Sequence, residues 1–369
     1  MRIVYNILNT WYSGGLTRVL ANKANYLVEH GYEVFVVTTD QMGQGHFYTM
    51  SDKITFIDLG INYHIHDQEG LLGKLRHVPM KVYRHKRLLG RILRKLKADI
   101  VISLFGKEAF FLPSIKDGSR KVLEAHGSRY TWVHSRHGLV GNIQSWLDLK
   151  LVHRFDKFVV LTHEDKPDWG NLPNITVITN ANSFESEELS PLTSKVVLAA
   201  GRYGYQKNFE SLLEAWAIVH KAYPDWELRL RGEGLEQLDG ELDRLGITSS
   251  VSRANSKNML PEYLDSSIFV LSSRHEGLGL VLLEAQVCGV PLVSYACKCG
   301  PSEIIVEGEN GFLVPVGDHE ALAERLMRLI ASPELRGHMG QNAKRHSQRF
   351  AEEAIMAQWH KLFVSLTKR

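Results

Sequence analysis

The sequence predicts an α/β protein built from two doubly wound, parallel-sheet domains. Three observations carry this. The chain opens with a β-branched run, a loop ending in two glycines, an amphipathic stretch and a second β-branched run. That strand-loop-helix-strand order is how such sheets begin. A strand, loop and helix start again at Lys195, and 369 residues are enough for two ordinary domains.

In the first half, residues 2–8 read as a strand, 9–15 as a loop closing on Gly14-Gly15, and 16–30 as a helix with Gly31 as its stop. Residues 32–39, 99–104, 120–124, 157–162 and 175–178 read as further strands, with a helical stretch at 146–154. His126 follows the strand at 120–124, and the carboxyl end of a parallel strand is where ligands bind in open α/β sheets. A lone histidine there can equally be structural. Residues 183–194, rich in Ser, Glu, Pro and Leu, read as the linker. The expected domains are therefore 1–185 and 186–349, followed by an amphipathic tail, 350–369, containing Trp359 and Phe363.

In the second half, a strand at 195–200 leads into Gly201-Arg202-Tyr203-Gly204-Tyr205-Gln206-Lys207-Asn208 and a helix. Two cations five positions apart on such a loop can grip a diphosphate, Arg202 as a planar fork and Lys207 as a movable point charge. A strand at 226–230 ends in the glycine loop Arg231-Gly232-Glu233-Gly234, and 258–265 reads as a helix. The stretch that organises this half is a buried strand at 267–271, then Arg274-His275-Glu276-Gly277-Leu278-Gly279-Leu280, then a helix over 281–288. Glycines let a ligand approach the backbone, and a helix start offers unpaired N–H groups and partial positive charge to a phosphate. Glu276 and Glu284 flank that anion site. Asp318 is placed to cap a helix whose inner face is Leu322, Leu326, Leu329 and Ile330.

Composition narrows the class. Hydrophobic residues make up 44% and charged residues 23%, as in ordinary soluble proteins. The start of the chain lacks the features of a signal peptide, and no apolar run reaches about 20 residues, so a cytoplasmic location is expected. Three cysteines argue against a disulfide framework, and Cys297-Lys298-Cys299 lacks the partners of a zinc site, so no metal is expected. The net charge of +3 is uneven, with +7 on residues 1–185 and −4 on 186–369. Much of the excess lies in 74–97, which holds ten Lys or Arg and no Asp or Glu. Leu88, Leu89, Ile92, Leu93 and Leu96 form an apolar stripe there. The segment reads either as a core helix with a solvated basic face or as a helix peripheral on an anionic membrane. Base-stacking aromatics and nucleic-acid modules are missing, so nucleic acid is not an expected partner. Gly-x-Gly-x-x-Gly is missing too, which disfavours a nicotinamide oxidoreductase.

Glu276, seven residues and Glu284, set between strand and helix around Gly277 and Gly279, resemble the Glu-x7-Glu motif of retaining glycosyltransferases of family 4, which have the GT-B fold. Gly289-Val290-Pro291-Leu292-Val293, Gly300-Pro301-Ser302-Glu303-Ile304-Ile305 and Asn310-Gly311-Phe312-Leu313-Val314 extend the likeness, which points to the bacterial surface-polysaccharide and lipid-linked glycan type. The resemblance implies two Rossmann-like domains facing an interdomain cleft, with the last helix crossing back to the first domain. It implies metal-independent, retaining transfer of a hexose or N-acetylhexosamine from a nucleotide sugar, UDP-linked by preference, to a glycan or lipid-linked saccharide. No cofactor beyond that co-substrate is implied.

The family's roles then fall on particular positions. Arg202 and Lys207 match the diphosphate-binding pair, Glu284 the residue holding the ribose hydroxyls, and Glu276 the one beside the donor hexose. His126 matches the cleft histidine near the donor sugar. Gly14-Gly15 with Arg18 resembles the glycine-rich loop, so Gly15, with Glu233 and Gly277, Leu278, Gly279 and Leu280, joins the donor-binding set. Two departures stand out: Ala254 replaces the usual glycine of the base-contacting strand and loop, and Lys298 adds a charge where relatives have Cys-Pro. An epimerase of the same fold and a non-catalytic nucleotide-sugar-binding module are the alternatives.

Overall fold

The computed structural model describes residues 1–66, 71–136, 138–256 and 258–368, with the backbone alone at 66, 71–76, 139 and 140. The first sheet contains β1 (Arg2–Ile7), β2 (Glu33–Thr38), β3 (Thr55–Asp58), β4 (Ile100–Ser103), β5 (Arg120–Glu124), β6 (Lys157–Val160) and β7 (Ile175–Val177). Their order is β3-β2-β1-β4-β5-β6-β7, and every pairing is parallel. The second contains β8 (Val196–Ala200), β9 (Glu227–Arg231), β10 (Val251–Ala254), β11 (Ile268–Leu271), β12 (Leu292–Tyr295) and β13 (Gly311–Val314). Its order, β10-β9-β8-β11-β12-β13, is again wholly parallel.

Both sheets therefore grow outward from their first strand in one direction and then return to its other side. The reversal leaves a crevice beyond the carboxyl ends of the two central strands, where doubly wound sheets bind ligands. In the second sheet those strands are β8 and β11, which pair at Val197–Ile268 and Leu198–Phe269. The two loops singled out from the sequence, after Ala200 and after Leu271, therefore leave the sheet side by side.

The contacts divide the chain into two units. One comprises residues 1–161, 166–178 and 355–369, and the other 162–165 and 179–354. The second unit thus begins at 179 rather than at the expected 186, because Asn182 already bonds to Phe350 and Ser347. The short segment 162–165 joins it through hydrogen bonds from the His163 and Glu164 N–H groups to Glu303, and from Cys299 N–H to Glu164. The tail forms the helix Glu352–Thr367, whose greater part belongs to the first unit. Trp359 and Phe363 are buried there, Tyr32 packs edge-on to Phe363, and Arg120 Nε donates to the Leu366 carbonyl.

The helix Gly15–Glu29 ends as its sequence predicts. Gly31 takes a positive φ of 79°, and Gly31 and Tyr32 N–H groups bond back to Val28 and Leu27. This Schellman closure satisfies carbonyls that the helix end would strand. Asp318 caps the helix His319–Ala331 by accepting from Ala321 N–H at 2.9 Å.

The basic segment lies in one long helix, Leu71–Leu96. Leu89 and Leu93 are fully buried, and Leu88, Ile92 and Leu96 pack on the same core. The apolar stripe is thus spent on the sheet and is not available for insertion into lipid. Arg84, Lys86, Arg87, Arg91, Arg94, Lys95 and Lys97 are exposed, as are Met80 and Tyr83. The side chains of Lys74 and Arg76 lie outside the described residues. Among the described residues no helix is long and apolar enough to cross a membrane.

Candidate active site

The loop after β8 and the loop after β11 are tied together by side chains that the sequence places about seventy positions apart. Lys207 Nζ lies 2.7 Å from Glu276 Oε1, with 18% and 8% of the two side chains exposed. Ser273 Oγ donates to the same carboxylate oxygen at 2.7 Å, and Gln206 Nε2 reaches the other at 3.4 Å and the His275 carbonyl at 3.0 Å. The backbones also meet: Arg274 N–H donates to Gln206, and Ser272 Oγ donates to the Lys207 carbonyl. Arg274 further holds the exposed Tyr205, donating to its carbonyl and lying 4.3 Å from its ring centre. Lys207 and Glu276 are therefore fixed in place, not merely near one another.

Past Glu276 the chain turns through Gly277 and Leu278 into Gly279, whose φ of 88° suits glycine, and enters the helix Leu280–Val287. Gly300 faces this turn so closely that a Cβ there would stand 2.1 Å from the Leu278 carbonyl oxygen. Glu284, in the second helical turn, is buried, and the Tyr263 hydroxyl donates to it at 2.8 Å. Tyr263 carries no sequence signal for this part; it lies 21 positions upstream, in a short helix that only the fold brings alongside.

Arg202 is exposed on the same loop as Lys207. Glu233 lies on the neighbouring loop after β9, which accepts a hydrogen bond from Tyr203 N–H. Gly232, Glu233, Gly234, Leu235, Arg253 and Ala254 line an open pocket of about 540 Å³. Ala254 adjoins this pocket, and its carbonyl accepts from Gly232 N–H. The predicted base-contacting stretch continues through Lys257, which lies outside the described residues. Lys298 enters through its backbone, bridging to His275 and accepting from Glu276 N–H.

Gly15 and His126 belong to the first unit. Gly15 is exposed at the first turn of its helix, and Gly14 precedes it as the cap. His126 follows β5 with its side chain 11% exposed, and its Nε2 lies 3.1 Å from Glu124 Oε1. The Glu124 carboxylate also accepts from Lys23 Nζ at 2.6 and 2.7 Å. Burial alone would raise Glu124, but the Lys23 ammonium that donates to it, together with the neighbouring His126, holds it down at about 2. Sequence reasoning found neither Lys23 nor Glu124, since 101 positions separate them.

All three cysteines are buried; burial pushes the Cys288 thiol up to about 12 and raises Cys297 as well. Among the described residues no group of three or more His, Cys, Asp or Glu side chains is placed to hold a metal ion.

Comparison with known proteins bears on this arrangement. Residues 181–346 match the family described as Glycosyl transferases group 1, and residues 13–182 match Glycosyltransferase Family 4. The two matches meet at residues 181–182 and leave only short ends uncovered. The chain is a family-4 glycosyltransferase. An uncharacterized glycosyltransferase of Haemophilus influenzae is 29% identical to it over 97% of this chain and 98% of its own length. The amylovoran biosynthesis glycosyltransferase AmsD of Erwinia amylovora is 33% identical over 56% of this chain and 61% of its own. Among solved structures, a variant of S. aureus TarM in complex with Fondaparinux, α-GlcNAc-glycerol and UDP covers 98% of the chain, and the chain covers 99% of it, at a TM-score of 0.80 and 15% identity. At that identity the likeness shows the fold alone, and the fold is GT-B. The glycosyltransferase thus carries its matched motif residues on two Rossmann-like sheets, with Arg202, Lys207, Glu233, Glu276, the turn 277–280 and Glu284 all in its second unit.

Proposed function

We propose that this glycosyltransferase moves a hexose or N-acetylhexosamine from a UDP-linked donor to a glycan or lipid-linked saccharide, with retention at the anomeric carbon and without a divalent ion. The observation that carries the reading is the Lys207–Glu276 pair. A cation suited to a departing diphosphate and a carboxylate suited to a sugar ring meet at 2.7 Å, beside a helix N-terminus. The bond to be broken joins just those two parts of a nucleotide sugar. Arg202, Lys207 and the amides at the start of the helix Leu280–Val287 take up the charge that develops on the diphosphate, which is the metal's usual task. Glu276 orients the hexose and steadies positive charge at its anomeric carbon. Glu284, held by Tyr263, receives the ribose hydroxyls, and the pocket at Glu233 and Ala254 receives the base. His126 approaches the donor sugar, and Gly15 lets the phosphates close on the backbone. The leaving phosphate accepts the acceptor's proton as the hydroxyl attacks from the same face.

UDP is supported by its presence with TarM, and a polysaccharide acceptor by the name of AmsD. The exposed arginines of the helix Leu71–Leu96 support an anionic lipid surface as the place of work, at the inner face of the membrane.

The test is transfer by Lys207→Ala in EDTA, with the donor first chosen by thermal shift against UDP-, GDP- and ADP-sugars. Loss of about 3 kcal/mol of transition-state stabilisation, a fall of roughly a hundredfold or more in kcat/KM, is expected. Unchanged kcat/KM would remove Lys207 from the reaction, and abolition of wild-type turnover by EDTA would remove metal independence.

A further inference from the structure

We infer that the buried Lys23–Glu124 pair is a positioning device for His126, fixing which ring nitrogen carries the proton and how the imidazole is turned. The inference rests on the reading of His126 as a donor-sugar contact.

Glu124 is the last residue of β5, and His126 follows two positions later. Lys23 comes from the helix Gly15–Glu29 and donates to both carboxylate oxygens. Only 7% of the Lys23 side chain and 1% of that of Glu124 are exposed. The remaining directions around the ammonium are aromatic: its nitrogen lies 3.6 Å from the ring centre of Trp359 and 5.7 Å from that of Tyr5. The pair is thus walled in by the terminal helix and by β1.

Such a pair needs a reason beyond stability. Removing two charges from water offsets most of their mutual attraction, and apolar residues of similar volume often hold a core as well or better. What the pair supplies here is a fixed acceptor against His126. Oε1 of Glu124 stands 3.1 Å from Nε2, an ion-pair distance that lacks the alignment of a full hydrogen bond. An ionised carboxylate only accepts, so the nitrogen facing it is the one that carries hydrogen in the neutral ring. Nδ1 is then an acceptor, and it is buried with no hydrogen-bond partner. An unmet buried acceptor calls for an explanation, and a hydroxyl of a bound sugar supplies one. Lys23 keeps Glu124 from swinging or protonating, so it acts on the sugar contact through two intermediaries.

The experiment compares wild type, His126→Ala and the double variant Lys23→Met with Glu124→Leu, which removes both charges together and so leaves neither buried alone. Imidazole nitrogen shifts are read by NMR on protein labelled in its histidines, with the His126 signals identified by their loss in His126→Ala. Hydrolysis of UDP-glucose and UDP-N-acetylglucosamine is followed in parallel. We expect one Nε2–H form in wild type and a mixture in the double variant. We also expect the variant to turn over about 10- to 100-fold more slowly, with unchanged KM, the scale typical of removing an outer-shell partner. A double variant that keeps the wild-type His126 signals overturns the inference, as does one that keeps wild-type kcat while His126→Ala loses it. If His126→Ala itself keeps full activity, the sugar-contact reading of His126 fails instead.

Discussion

Lys207 and Glu276 neutralise one another, and this sets how each responds to change. On the proposed reading, a diphosphate entering beside Lys207 competes for it with a carboxylate already held by Ser273 and Gln206. Glu284 is proposed for a different task, and the Tyr263 hydroxyl restrains it. Tyr263→Phe deletes the hydroxyl that orients it and is expected to weaken UDP binding by about 1 kcal/mol, roughly fivefold, by calorimetry. Glu284→Ala should weaken it further while leaving the slope of turnover against Lys207 substitutions unchanged. Wild-type UDP affinity in Glu284→Ala would rule out the ribose role. Glu124 gives a dependence on pH. Its carboxyl sits lower in the folded chain than in the unfolded one, so its contribution is complete above about pH 5. As pH falls towards 2 the carboxylate takes up a proton and that contribution is lost. The acid limb of the unfolding curve of wild type is therefore expected to be steeper between pH 5 and 2 than that of the Lys23→Met, Glu124→Leu double variant, as measured by urea midpoints.

Elements show why a pattern can be right about a helix and silent about its use. The stripe at Leu88, Leu89, Ile92, Leu93 and Leu96 fits a helix facing a core and a helix lying on lipid equally well, because both need the same periodicity. The fold decides it: Leu89 and Leu93 are fully buried against the sheet. What remains outside is mostly charge, with Met80 and Tyr83 beside it, so the expected attraction to an anionic membrane is chiefly electrostatic and sensitive to salt. Reversing Arg84, Arg87, Arg91 and Arg94 to Glu should release the protein from phosphatidylserine vesicles at low salt, whereas wild type should be released only as salt rises. Sedimentation that ignores both salt and reversal would dismiss the surface. The strands show a similar limit. β5 was legible to the residue, but β3 was not, since Thr55-Phe56-Ile57-Asp58 is a half-exposed edge strand without alternation. The helix Pro333–Ser347 was missed as well, because Gly337 and Gly340 interrupt an otherwise polar run. Gly340 is there for packing: a Cβ would meet the Gly289 carbonyl oxygen at 2.4 Å.

At the scale of the molecule, two sheets of the same strand order divide the matched residues between them, and the terminal helix belongs largely to the unit that the chain left at residue 178. Ile355, Met356, Trp359, Leu362 and Phe363 are its buried face. Trp359→Ala is expected to cost about 3–5 kcal/mol in urea unfolding, the usual loss for a fully buried large aromatic, and to uncover the Lys23 ammonium. A loss below about 1 kcal/mol would show that the helix contributes little to that unit.

The repeated strand-loop-helix order, the loops bearing Arg202, Lys207, Glu276 and Glu284, and the family to which they belong are all legible in the chain before it folds. These are local facts, written in periodicity, glycines and the spacing of charges within one turn or one loop. Folding alone brings Lys207 to Glu276, Tyr263 to Glu284, Lys23 and Glu124 behind His126, and the leucines of the basic helix into the core. Each of those depends on which strands pair and which faces pack. Parallel pairing brings together residues separated by a whole crossover, and no period in the chain records that distance.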